Sequence, residues 1–461
     1  MVVCRLFAKP TTPGLLLYYK VGSGKTLASI AAAEHVMRRQ GFGRVVVVVP
    51  ASLRANYKKE LRAAGVDASR YTVVSFQQVH AMSAARQTAL GNGAILVVDE
   101  VQNMRNPRSK MFDSLLRVAG AARKRLLLSG TPVMNYPMDI GTTLGLLDPA
   151  RNVSRAVRVP SEANEDAWTY VFKTSFGRDA TDNQEELDAM MRCTTLFYEP
   201  DAATVRREYP TKTEHWVPVP MTLDQAKVQF RMAAEDPGAV TMNQLFQGST
   251  SVAFLTRPRQ INSRLNDQHP KIDEAVRRVE AEYRRGGKCV VYSAYLQAGL
   301  HRIAELLRQR GLRVAVYEGA STPADKKRIV EEYNADRVRV LLLSDAGKEG
   351  LDLKNTTQIH VMEPQWNEEK VAQIIGRGVR YQSHTRAPRH VDVFRYYATF
   401  GPAAVELSRT IQRRMGYTAS VLMDFAADDV LMQVTERKQA VNRAFLQRLI
   451  RISDENVRQC L

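Results

Sequence analysis

The run VGSGKT, Val21–Thr26, follows the strand-like GLLLYY and precedes a segment with helical spacing. A strand-to-helix turn of this kind cradles phosphates with backbone N–H groups. Gly22, Ser23 and Gly24 would supply those groups, Lys25 a charge for the β- and γ-phosphates, and Thr26 a hydroxyl for Mg²⁺. The first glycine of the usual GxxxxGKT pattern is replaced by Tyr19, and an ordinary Gly-rich turn is the bland alternative. The partner that such a loop requires is an acidic pair at the end of a buried strand. AILVVDEVQ puts Asp99 and Glu100 there, Asp99 to hold Mg²⁺ through water and Glu100 to polarise the attacking water as general base. Taken alone, Asp-Glu after a strand often merely caps a helix. LLLSGTP places Ser129 and Thr131 at another strand end, as sensors of a γ-phosphate or simply as turn residues.

The stretch QIIGRGVRYQSH, Gln373–His384, sets Arg377 and Arg380 three residues apart. On a helix that spacing puts both on one face. They read either as cations aimed at phosphates or as a solvated basic face. His384 reads equally as a packed or a solvated histidine.

These groups need elements to hold them. From Gly14 to Asp139, short apolar runs (LLLYY, RVVVVVP, TVVSF, AILVVDE, RLLLSGTP) alternate with helical segments such as TLASIAAAEHVMRR. That alternation predicts a parallel sheet with helices on both faces. The strand signal thins between about Asn152 and Gln268 and resumes with KCVVYSAY, RVAVYEG, VRVLLLSD, QIHVMEP and HVDVFRYYA; from about Gly401 the pattern is helical. The expected fold is therefore α/β, with two parallel-sheet lobes, a helical insertion between them and a helical tail. The expected domains are 1–150, 151–268, 269–400 and 401–461.

The chain has 461 residues and a formal net charge of +18, which suits a polyanionic partner such as nucleic acid, although an arginine-rich composition also follows from a GC-rich genome. Its four cysteines, Cys4, Cys193, Cys289 and Cys460, form no close pair. Neither a zinc ribbon nor a disulfide framework is signalled, and a reducing, intracellular setting is expected. No apolar run approaches a membrane span and the opening residues lack a signal-peptide pattern, so a soluble protein without a membrane partner is expected.

Taken in order, VGSGKT, VVDEVQ, LSGTP, SDAGKEGLDL and QIIGRGVRYQSH resemble the motifs of superfamily-two helicases. PASLRANYKKEL, EPQWNEEKVAQIIGRGVR and YQSH are similar to the Snf2-like ATPases of large DNA viruses, the group containing poxvirus nucleoside triphosphate phosphohydrolase I and the early transcription factor small subunit. The resemblance covers most of Gly14 to Thr399. It implies two RecA-like lobes with ATP and Mg²⁺ between them, and it makes Arg377 and Arg380 arginine fingers, with Gln373 orienting their segment. It also places Gly350 near the γ-phosphate and Asp352 among groups that couple the site to DNA. Ser52, Arg54, Ser293 and the loop around Ser75 and Phe76 would face a nucleic-acid backbone, although helix caps explain such serines almost as well.

The function so implied is a DNA-dependent ATPase and translocase acting on duplex or single-stranded DNA without sequence preference. Viral transcription, alongside an RNA polymerase or a transcription factor subunit, is the implied setting, and packaging in a virion would accompany it. An RNA-dependent helicase shares every hydrolysis motif, and a nucleotide-binding scaffold without turnover is the rival of another class. Relatives carry a glutamine upstream of the phosphate loop that reads adenine. None stands in MVVCRLFAKPTTP: either the chain is naturally short, its start is truncated, or base selectivity is weak, and loose discrimination among ATP, GTP and CTP is the expectation.

Overall fold

The computed structural model describes residues 2–20, 23–133, 136–149, 180–235, 240–247, 252–347, 351–387, 389–415 and 420–461. The chain forms two compact units, Met1–Pro200 with Lys438–Leu461, and Asp201–Arg437.

The first unit is built on six parallel strands, β1 (Gly14–Tyr19), β2 (Val45–Val49), β3 (Tyr71–Ser75), β4 (Ile95–Val98), β5 (Lys124–Ser129) and β6 (Thr195–Tyr198), in the order β3-β2-β4-β5-β1-β6. Five consecutive valines in β2 are buried on both faces, as a central parallel strand demands, and β-branched side chains suit that pleated surface. Between β1 and β2 runs the helix Lys25–Gln40. Its Ile30, Ala33, Val36 and Met37 are spaced to form one stripe, and they share a core with Leu15, Leu17, Val45 and Val47. Gly41, with φ 68°, stops the helix by turning its N–H back to the Met37 carbonyl.

The second unit repeats the architecture with β7 (Thr211–Pro220), β8 (Cys289–Tyr292), β9 (Val314–Tyr317), β10 (Val340–Leu343), β11 (Gln358–Val361) and β12 (His390–Thr399), ordered β7-β12-β11-β8-β10-β9 and parallel throughout. Every strand expected from an apolar run is present. β6 and β7 come from the segment read as a helical insertion, and each completes an edge of a different sheet. β7 escaped notice because it is mostly exposed and contains Pro218 and Pro220. Proline is tolerated only at such an edge, where the missing donor faces away from the sheet. Part of the expected insertion, 151–179 with 236–239 and 248–251, lies outside the described residues.

The tail is helical as expected, with helices Pro402–Met415, Val421–Asp424 and Ala427–Gln459. Its last part is integral to the first unit. Phe445, Leu449 and Ile452 are buried in one core with Leu16, Val46, Val48 and Leu96. Asn456 accepts from the Cys193 N–H at 2.8 Å and donates to the Met191 and Thr195 carbonyls, while Ser453 Oγ accepts from the Phe197 N–H at 2.7 Å. Arg448 pairs with Asp188 at 2.6 Å. The cysteine expectation needs correction, because Cys193 and Cys460 are joined by a disulfide across 267 residues of sequence. Pairing rules that look for short spacings are blind to a bond made by tertiary proximity alone.

These contacts make the last 24 residues a wall of the first unit. Leu449→Ala is expected to cost about 2–5 kcal/mol in urea unfolding. Reduction of the disulfide, or Cys460→Ser, is expected to lower the apparent Tm by about 5–10 °C. Melting unchanged by all three treatments would show that the wall carries no stability.

Candidate functional site

In the first unit the parallel register brings the ends of β1, β4 and β5 to one edge of the sheet. β1 leads into the loop 20–24, of which Val21 and the expected phosphate-binding Gly22 lie outside the described residues. Ser23 spends both its N–H and its hydroxyl on the Lys20 carbonyl, tightening the turn. Gly24 then adopts φ 85°, a left-handed conformation that a side chain would strain, and the helix starts at Lys25. Thr26 sits in its first turn, and its carbonyl accepts from Ser29 Oγ at 2.7 Å. Ser29 also meets the Tyr57 hydroxyl at 2.8 Å, tying the helix start to helix Arg54–Ala63. Burial, with the nearby Asp99 charge, pushes the Tyr57 phenol pKa well above its ordinary value, so that hydroxyl keeps its proton.

β4 delivers the acidic pair. Asp99 is buried, and its Oδ1 accepts from the Glu100 N–H at 2.9 Å. Glu100 takes φ 53°, uncommon for a residue with a side chain. Its Oε1 lies 3.9 Å from Lys25 Nζ, with both side chains largely buried. Its Oε2 accepts from Gln102 Nε2 at 2.5 Å. Gln102 Oε1 in turn accepts from Ser129 Oγ at 2.7 Å, and Ser129 Oγ accepts from the Thr131 N–H at 3.0 Å. A single polar chain therefore joins the helix start, the end of β4 and the end of β5. Thr131 Oγ1 is buried without a hydrogen bond among the described residues. Gln102 was not singled out from the sequence. Its signal was a polar side chain two residues beyond the acidic pair, in a turn that proves almost fully buried.

The residues expected at nucleic acid divide. Ser52 is exposed in a short turn and Arg54 is part-buried at the first position of its helix. Ser75 is buried, and it caps helix Phe76–His80 in a reciprocal pair with Gln78, while Phe76 is a core residue. Ser293 is fully buried and donates to Glu363 Oε1 at 2.6 Å. Glu363 also accepts from the Ala294 N–H, and burial raises its pKa. The side chains of Ser75 and Ser293 thus face inward, where a phosphate backbone does not reach, and the capping explanation replaces the contact reading for Ser75.

In the second unit Gln373 and Arg377 lie part-buried on helix Glu368–Gly378. The helix stops at Gly378, where an added Cβ would press within 3.1 Å of Thr356. Val379 is already non-helical, with φ −109° and ψ 85°. Arg380 therefore belongs to the following turn, which corrects the expectation of two arginines on one helical face. Ser383 Oγ closes that turn by donating to the Gly378 carbonyl and accepting the Arg380 N–H. The Arg380 guanidinium is held by the Leu351 carbonyl at 3.4 Å and by Asp352 at 3.7 Å. Asp352 also pairs with Lys354 at 3.1 Å, so its contacts in this structure are cations of its own unit. His384 is packed, with Nε2 2.8 Å from the Thr356 carbonyl, and burial lowers its pKa. Gly350 lies outside the described residues.

Residues 69–268 match the SNF2-related domain, and residues 270–382 match the helicase conserved C-terminal domain. The chain is similar to the putative ATP-dependent RNA helicase L538 of Acanthamoeba polyphaga mimivirus, 27% identical and covering 96% of this chain and 94% of the relative. It is also similar to the termination factor NPH-I homolog of African swine fever virus (isolate Pig/Kenya/KEN-50/1950), 21% identical and covering 84% and 69%. Among solved structures it matches the Sulfolobus solfataricus SWI2/SNF2 ATPase core in complex with dsDNA, at 18% identity, with 89% and 88% of the chains covered and a TM-score of 0.38. Described helices include none long and apolar enough to cross a membrane. With the two domain models matched in order along the chain, and viral relatives aligned over most of its length, this protein belongs to the SNF2-type ATPases of the helicase superfamily.

Proposed function

We propose that this chain is a DNA-dependent ATPase that couples hydrolysis to movement along DNA in viral transcription. The observation that carries this reading is the polar chain Lys25–Glu100–Gln102–Ser129 at the strand ends. It links the cation that would meet the phosphates to the carboxylate that would activate water. In this reading the backbone of Gly22 and Gly24 cradles the phosphates, Ser23 instead tightens the turn because its N–H is held by the Lys20 carbonyl, and Lys25 neutralises the β- and γ-phosphates. Thr26 and Asp99 offer a hydroxyl and a carboxylate, the hard oxygen donors that Mg²⁺ takes alongside nucleotide phosphates and water. Bound there, the ion would offset charge on the phosphates.

Glu100 takes the proton of the attacking water, and Gln102 holds its second oxygen so that the first faces the reaction. Arg377 and Arg380 neutralise the charge that develops on the transferring phosphoryl group. Asp352 acts as a positioning residue for Arg380, and Gln373 keeps its assignment to the same segment, with Gly350 near the γ-phosphate. Ser52 and Arg54 remain the candidates for backbone contact, supported by their place at a helix start, by the exposure of Ser52 and by the net charge of +18. One relative carries a name that specifies RNA, so the choice between nucleic acids is part of the test.

Turnover of ATP is to be measured alone and with duplex DNA, single-stranded DNA and RNA. DNA is expected to stimulate the wild-type chain. Lys25→Ala is expected to lose at least about 100-fold, and Arg377→Ala about 10³- to 10⁵-fold. Stimulation by RNA alone would replace DNA with RNA as the track, and unchanged turnover in both variants would discard the mechanism. Gln102→Ala removes a hydrogen bond to a charged partner, worth about 1.5–3 kcal/mol. Its stimulated kcat is expected to fall roughly 10- to 150-fold with little change in the KM for ATP, and an unaltered kcat would remove Gln102 from the account.

A further inference from the structure

The residues ahead of β1 are held far from the phosphate loop. Lys124, at the entrance of β5, donates to the carbonyls of Phe7, Lys9 and Thr12 at 2.8, 2.8 and 2.9 Å, and the Arg125 N–H bonds to the Pro13 carbonyl. Those contacts fix helix Val2–Phe7 and the following turn at the edge where strands enter, opposite to the edge where β1 ends. Residues 2–13 therefore do not reach the base of a nucleotide held at that loop.

The element beside the loop is β6. Tyr19 and Tyr198 are in register, and the N–H of Lys20, the first residue beyond β1, donates to the Tyr198 carbonyl at 3.2 Å. Side chains alternate across a strand, so Tyr198 shares the sheet face of Leu196, Leu17 and Tyr19. That face is the one packed by helix Lys25–Gln40, which the phosphate loop introduces. Tyr198 is 44% exposed. Behind it lies the buried Tyr19, with ring centroids 5.0 Å apart at 40°. The charged side chains that flank the pair, Lys20 and Glu199, are half-exposed and meet each other at 2.5 Å.

We propose that Tyr198, braced by Tyr19, is the platform on which the nucleotide base stacks. The inference rests on the phosphate-loop reading given above and deepens it. Every base offers a flat π-face, so stacking binds without reading hydrogen-bond edges. The Lys20–Glu199 pair engages one contact of each partner, so the Tyr198 ring is the base-independent feature beside the loop. The site therefore takes purine and pyrimidine nucleoside triphosphates alike, which gives the loose selectivity expected from the sequence a structural cause.

The test is equilibrium binding of ATP, GTP, CTP and inorganic tripolyphosphate to the full chain and to Tyr198→Ala and Tyr198→Phe. The wild-type chain is expected to bind the three nucleotides within about fivefold of one another and each about tenfold or more tighter than tripolyphosphate. Tyr198→Ala should bring all three down to the tripolyphosphate level while leaving tripolyphosphate affinity unchanged, and Tyr198→Phe should retain the wild-type order. The platform is overturned if Tyr198→Ala binds ATP as the wild type does, if it loses tripolyphosphate by the same factor, or if the wild type holds tripolyphosphate as tightly as ATP. A wild-type chain that binds none of the four ligands overturns the phosphate-loop reading itself, and the platform with it.

Discussion

The carboxylate of Glu100 is the interaction on which the candidate site turns. One oxygen faces Lys25 and the other takes the Gln102 amide. All three side chains sit where water is largely excluded, so each charge depends on the others for compensation. The parallel sheet makes that possible. β1, β4 and β5 run the same way in adjacent positions, so their ends deliver a helix start, an acidic pair and a hydroxyl turn to a single edge. The left-handed backbone at Gly24 and Glu100 completes the geometry, one at no steric cost and the other against a modest strain.

The second unit keeps its own cations in check. Arg380 is clamped by a carbonyl and by Asp352, which also neutralises Lys354. A guanidinium held this way loses less freedom on meeting a phosphate than one in solvent would. Deeper in the same unit, Asp428 is buried between Lys271 at 2.6 Å and Arg259 at 3.1 Å. Those two cations hold its pKa below the ordinary carboxylate range, against the opposing effect of burial.

Much of this was legible in the residues themselves. Runs such as VVVVV and LLLS are too apolar and too short to be anything but buried strands, and the motif order located the acidic pair correctly at the end of β4. What escaped the sequence depends on tertiary placement. β7 looks polar and carries two prolines because it is an edge. Arg380 reads as helical by spacing, yet the crowding of Gly378 against Thr356 marks where the helix stops. Ser293 resembles a backbone contact in sequence, and only the fold reveals Glu363 beneath it. No local pattern ties Cys193 to Cys460, or the last helix to the core of the first unit.

The central claim is that Glu100 activates water for an ATP held by Lys25. It is tested most directly by Glu100→Gln, in a paired measurement of ATP affinity and steady-state turnover. The account predicts affinity within about threefold of wild type, because the phosphate cradle is intact, and turnover reduced at least about 100-fold, because the general base is gone. Turnover at the wild-type rate with unchanged affinity would contradict it.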